Sequence, residues 1–199
     1  MSFKLHAKTQ QHSYLITGPI GYGLSPSPSG VHIAFAGGTG VLTFIDFVAK
    51  IARDVLKIMQ AAPLQSDLKK STTFSSEQRL ILYVSFLNEQ QSIGLRLCRA
   101  LDRFCEKHNL NNFRLITRFS FRDGLTGLRF FGSSSFKKWG STRWDEKFIR
   151  DALDEFADGE IQKVWCCGPP PMSETFDKTF YSIAQENYKG LTKQQLHVF

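Results

Sequence analysis

An α/β fold, with an open and mostly parallel sheet covered by helices on both faces, is predicted by three observations. Short apolar runs recur along the chain and alternate with segments of helical periodicity. A glycine-rich turn, Ala36-Gly-Gly-Thr-Gly40, closes one of those runs, and a second turn, Cys167-Gly-Pro-Pro-Pro-Met172, closes another. Each turn follows a strand and precedes a helical segment, so both open at the same edge of the sheet. That carboxyl edge is where open α/β sheets bind ligands.

The elements follow in order. Lys4 to Ile16 alternate weakly, which predicts an edge strand, and the dense turn residues from Thr17 to Gly30 predict a boundary, with 1–29 set apart from 30–199. Val31 to Ala36 is a buried strand. Val41 to Gln60 is an amphipathic helix, with Asp46, Lys50, Arg53 and Lys57 on its polar face and Phe44, Phe47, Val48, Ile51, Val55 and Ile58 toward the sheet. Ala61 to Gln78 is a long polar connection. The alternation then repeats: strand Leu80 to Phe86, helix Ile93 to His108, strand Phe113 to Phe119, a Gly- and Ser-rich excursion from Asp123 to Ser141, helix Asp145 to Phe156, strand Ile161 to Cys166, helix Ser173 to Asn187, and an edge strand in Leu196 to Phe199. Such alternation implies right-handed crossovers.

Composition narrows the function classes. With 199 residues and 42% hydrophobic content the chain can build a sizeable core. No apolar run approaches bilayer length and the N-terminus lacks a secretory apolar stretch, which predicts an intracellular, soluble protein. The four cysteines match no zinc spacing, and the adjacent pair Cys166 and Cys167 would not readily bridge to itself, so free thiols are expected. A net charge of +7 is spread along the chain without a basic tract or a recognition motif, so nucleic acid is not an expected partner.

A pyrophosphate needs backbone N–H groups directed at it and no side chain in its path. Gly37, Gly38 and Gly40 at a strand-to-helix turn meet both needs, and Thr39 adds a hydroxyl. The spacing is neither G-x-G-x-x-G nor a P-loop, so a tight turn that simply requires positive φ is the competing reading. Gly168 lets the chain turn after Cys167, and the three prolines hold that loop stiff as a ledge. Beside a nicotinamide, the ledge would place the Cys167 sulfur near the transferred hydride, acting through packing and polarisability; a small buried hydrophobe is the alternative. Cys166 should point to the opposite side of its strand, into the core.

The joint order of Gly18-Pro-Ile-Gly21, Ala36-Gly-Gly-Thr-Gly-Val41, Cys167-Gly-Pro-Pro-Pro-Met172 and a chain ending in Val198-Phe199 resembles that of NADH–cytochrome b5 reductases. The wider ferredoxin–NADP reductase superfamily shares the scheme. The resemblance runs from about residue 12 to the end and implies a Rossmann-like, ferredoxin reductase-like NAD(P)-binding domain that passes hydride from NAD(P)H to FAD. Carried over by position, Gly37, Gly38, Thr39 and Gly40 would line the pyrophosphate, and Cys167, Gly168, Pro169 and Met172 would flank the nicotinamide. Gly18, Pro19 and Gly21 resemble the end of the flavin lobe, making residues 1–29 its remnant.

This chain departs from the family in four places. It contains no Arg-x-Tyr, the flavin-gripping motif of the family's β-barrel lobe, so FAD is expected only where that lobe is supplied by a missing region or a partner. Thr43 stands where the family usually has a proline. Near Ser120 the b5 reductase pattern places an acid; here Arg118, Ser120 and Arg122 suit a 2′-phosphate, which makes NADPH the preferred nucleotide over NADH, with arginines that simply solvate a sheet edge as the competing reading. The excursion 123–141 is rich in aromatic and basic residues, fitting either a protein interface or a cover for a sheet edge. The expected function is the NAD(P)H-binding module of a flavoprotein oxidoreductase, with a flavin-bearing lobe and a downstream electron-acceptor protein as partners. Membrane attachment would come only through a missing region or a partner. The alternative is a catalytically silent assembly subunit that retains the fold.

Overall fold

A computed structural model describes residues 23–61, 78–90, 92–119, 144–155 and 161–199. Five strands, β1 (Gly30–Gly37), β2 (Gln78–Phe86), β3 (Phe113–Phe119), β4 (Ile161–Cys167) and β5 (Leu196–Val198), form one sheet in the order β3-β2-β1-β4-β5, and every neighbouring pair is parallel. Four helices, α1 (Leu42–Ala61), α2 (Leu95–Lys107), α3 (Glu146–Glu155) and α4 (Pro170–Gln185), connect them. The chain steps outward from β1 to β3, then returns to the other side of β1 for β4. That reversal creates a topological switch point beside β1, the crevice where such sheets accept ligands.

Burial on both faces explains the near-continuous apolar strands. On one face Phe35, Tyr83, Ile116 and Cys166 pack under Phe148 and Ile149 of α3 and Phe176 and Phe180 of α4. On the other, Leu80, Leu82, Val84 and Trp165 pack under Phe44, Phe47, Val48 and Ile51 of α1 and Leu95, Cys98 and Leu101 of α2. The anticipated apolar stripe of α1 is buried through Val55, and its polar residues Asp46, Lys50, Arg53 and Lys57 are exposed.

Three boundaries differ from the sequence reading, each for a physical reason. β2 begins at Gln78, a polar residue that is nonetheless buried because its amide is paired: Lys50 Nζ donates to Oε1 at 2.6 Å, and Nε2 donates to the Ser27 carbonyl. α2 begins at Leu95, after Gly94 in the left-handed region (φ 73°), two residues later than Ile93. α4 begins at Pro170, so Pro170 and Pro171 open a helix and are not the stiff loop expected of them; proline suits the first helical turn, whose N–H groups have no intrahelical partner. The edge strand 4–16 and most of the 61–78 connection lie outside the described residues, as does the 123–141 excursion.

His32 on β1 is fully buried, stacked on Trp165 with ring centroids 5.5 Å apart and met edge-on by Phe47, also at 5.5 Å. Burial, with Lys50 and Lys163 adding to it against the opposing backbone groups of Arg79 and Gly30, pulls its pKa down to about 4. The neutral ring is therefore favoured by folding. Its contribution is complete above the unfolded value near 6.5 and is lost as pH falls toward 4. The loss amounts to about 3 kcal/mol. In urea titrations at pH 7.5 and 4.5, His32→Phe should lose less stability on acidification than the parent chain, by about that amount.

Candidate functional site

β1 runs directly into a short 3₁₀ turn, Gly38–Val41, that leads into α1. Its N-cap, Gly37, has no side chain to cap the turn and no acidic residue occupies its first turn, an arrangement that suits an anion. The three glycines have different duties. Gly38 adopts φ +55°, with nothing within 4 Å of where a Cβ would stand. Gly37 faces the second motif, where a Cβ would meet Met172 Sδ and Pro169 Cδ, both at 2.8 Å. Gly40 lies against the end of β4, where a Cβ would stand 2.1 Å from the Cys167 carbonyl oxygen. The two motifs of the sequence are thus one packed unit in space: the glycine turn meets the Cys-Gly-Pro loop closely because Gly37 and Gly40 place no Cβ between them.

A cleft of about 640 Å³ opens across the carboxyl edge. Its walls come from the ends of all four of the longer strands: Gly37 and Gly38 after β1, Ser85 to Leu87 at β2, Arg118 at β3, and Pro169, Pro171 and Met172 after β4. Trp144 and Asp145, at the start of α3, complete it. The cleft is chemically divided. The glycine turn and Arg118 form a polar, electropositive part. The wall at α4 is apolar and poor in donors, because Pro169, Pro170 and Pro171 have no N–H. Trp144 is fixed by stacking on Phe148 (5.8 Å, 10°) and by edge contact with Phe35 and Phe176. Asp145 has one carboxylate oxygen engaged, Oδ1 accepting from the Phe148 N–H at 2.9 Å.

Arg118 is half-buried, and its Nε is fully buried without a hydrogen-bond partner among the described residues. Burial pulls the guanidinium's pKa below its ordinary value. No carboxylate among the described residues forms an ion pair with it. A partly desolvated cation at a ligand edge, with no ion pair among the described residues, is an arrangement suited to an anionic group from outside.

Cys167 closes β4 and faces the α1 side, half-buried, while Cys166 points into the opposite core. That alternation is the one anticipated. Burial pushes the thiols of Cys98 and Cys166 up to about 12 and that of Cys105 to about 11, marking all three as inert core. Of the anticipated nucleotide residues, the cleft brings together Gly37, Gly38, Arg118, Pro169 and Met172. Thr39 is exposed on the turn. Thr39, Gly40, Cys167 and Gly168 adjoin the cleft without lining it. Gly18, Pro19, Gly21, Ser120 and Arg122 lie outside the described residues. Sequence reasoning missed Ser85, Phe86, Leu87, Trp144 and Asp145. The β2 residues were within reach of the rule that every strand's carboxyl end borders the crevice. Trp144 carried no signal beyond its place before a helix.

Among the described residues no helix is long and apolar enough to cross a membrane, and no group of three or more His, Cys, Asp or Glu side chains is placed to hold a metal. No protein-family model matches the sequence, and a search of curated proteins finds no match. Solved structures do resemble it. The cytochrome b5 reductase domain of Ulva prolifera nitrate reductase superposes with a TM-score of 0.52 at 16% identity, over 92% of this chain and 57% of that one. A variant ferredoxin-NADP+ reductase from Plasmodium falciparum, solved with 2′P-AMP, superposes with a TM-score of 0.50 at 16% identity, over 86% and 52% respectively. These likenesses show the fold alone, an open parallel α/β sheet shared with those reductase structures. The chain spans 52–57% of the length of these two structures.

Proposed function

We propose that this chain is the NAD(P)H-binding module of a flavoprotein reductase and that NADPH is its preferred nucleotide. The observation that carries the reading is Arg118: a partly buried guanidinium with no partner among the described residues, on the wall of a cleft that crosses the carboxyl edge. The residues present fit a dinucleotide. The backbone of the turn that begins at Gly38, with Gly37 beside it, suits a pyrophosphate, Arg118 suits the 2′-phosphate of an adenosine, and the apolar wall of Pro169, Pro171 and Met172 suits a flat ring. The same phosphate belongs to the ligand in the Plasmodium reductase structure.

When bound, the nicotinamide supplies the hydride. The chain's part is to hold the nucleotide and to present that ring beside Cys167 toward a flavin. The flavin-bearing lobe is a partner region, and the electron acceptor lies beyond it.

Calorimetric titration of the chain with NADP⁺ and NAD⁺ tests the reading. Saturable binding, about tenfold to a hundredfold tighter for NADP⁺, is the expected result, since one charge-assisted bidentate pair is worth about 1.5–3 kcal/mol. Equal affinities would remove the NADPH preference. No binding of either nucleotide at millimolar concentration would overturn the module and leave a silent scaffold as the better reading.

A further inference from the structure

We propose that Thr43 is a positioning residue for Cys167. Its hydroxyl holds the thiol in one orientation at the carboxyl edge, beside the place that the reading above gives to the nicotinamide. The consequence for the nucleotide rests on that reading; the pairing itself does not.

Thr43 Oγ1 lies 3.2 Å from Cys167 Sγ, a contact across 124 positions of sequence, within hydrogen-bond reach of a sulfur; either atom could donate, and we assign the donor to the thiol. Two features make the contact a consequence of the fold. Gly40 brings the start of α1 so close to the Cys167 carbonyl that no Cβ would fit between them. Thr43, three residues on, therefore projects from the first turn of α1 onto the end of β4. The second feature is chemical. Position 43 is where the resembling family usually carries a proline, which has no hydroxyl, so the pairing belongs to this chain.

A cysteine at a strand end has three staggered rotamers about χ1. A hydrogen bond worth about 1 kcal/mol favours one of them about fivefold. With the sulfur drawn toward α1, its position beside the cleft wall of Pro169 and Met172 is set by this hydrogen bond. Thr43 thereby acts on the ring's position through the sulfur, touching neither the nucleotide nor the cleft.

Thr43 is exposed, so its substitution leaves the core intact. The S–H stretching band of Cys167, isolated by infrared difference against Cys167→Ser, should shift in Thr43→Val toward that of an unbonded thiol and stay unshifted in Thr43→Ser. In the second arm the thiol is labelled with a thiol-reactive probe. Saturating NADP⁺ should slow labelling of the parent chain and of Thr43→Ser about fivefold or more, and protection should largely disappear in Thr43→Val. 2′-Phospho-AMP, which lacks the nicotinamide, should protect none of them. An unshifted band in Thr43→Val would overturn the pairing. Equal protection by NADP⁺ in all three chains would overturn the positioning role. Absence of protection in the parent chain, with the band shift intact, would instead sink the placement of the nicotinamide and with it that role, leaving the hydrogen bond standing.

Discussion

Replacing Gly40 with alanine is expected to destabilise the chain by about 3 kcal/mol and to lower its melting temperature by about 10 °C. The added Cβ would stand 2.1 Å from the Cys167 carbonyl oxygen, 2.7 Å from its carbonyl carbon and 3.2 Å from the Gly168 nitrogen. All three are backbone atoms, so no rotamer change relieves the overlap, and either the α1 start or the end of β4 must move. β4 is held on one side by β1 and on the other by β5, while α1 is pinned by Phe44, Phe47 and Val48 in the core. The strain therefore spreads through both loops, and nucleotide affinity should fall along with stability.

Gly38→Ala supplies the contrast. A Cβ there meets nothing within 4 Å, and only the left-handed φ of +55° opposes it, at about 1–2 kcal/mol. Because Gly38 lines the cleft, its alanine variant should keep most of its stability yet bind NADP⁺ more weakly. Thermal melts combined with titrations separate the two glycines. Equal melting temperatures for Gly40→Ala and the parent chain would show that the two loops are not packed as one unit.

Much of this architecture was legible because parallel strands buried on both faces leave continuous apolar runs, and because α1 wrote its buried face at helical spacing from Phe44 to Val55. The association of the two turns was legible in outline: each ends a strand, and all carboxyl ends share one edge. What the glycines do individually was not. A sequence shows that Gly37, Gly38 and Gly40 lack side chains; only the fold shows that one borders open space, one meets Met172 and one meets a carbonyl. The three prolines were ambiguous in a different way, since the residue that stiffens a loop also opens a helix. Gln78 was misplaced because its burial depends on Lys50 and on Ser27, both remote in sequence. Thr43 shows no partner in the sequence, because its contact with Cys167 exists only where α1 and β4 come together.

The second large effect concerns Arg118, and two measurements should move in opposite directions. Arg118→Leu is expected to weaken NADP⁺ binding about tenfold to a hundredfold, to leave NAD⁺ binding within about twofold, and to leave stability unchanged or raised. The binding term follows from the missing partner. A guanidinium whose Nε is fully buried, with no ion pair among the described residues, has lost hydration without gaining a counter-charge, so a phosphate delivered to it meets a cation already desolvated. Leucine removes that attraction and nothing else from a nucleotide lacking the phosphate. The stability term has the same origin: a half-buried cation with no partner among the described residues opposes folding, and an apolar side chain on the cleft wall beside Phe86 and Leu87 does not. Arg118→Lys should recover little of the affinity, because an ammonium cannot reproduce the bidentate fork. A structural arginine that merely solvates the sheet edge would give the reverse pattern, with stability falling and the two nucleotides affected alike. Calorimetry with both nucleotides and a urea titration of Arg118→Leu decide between the two.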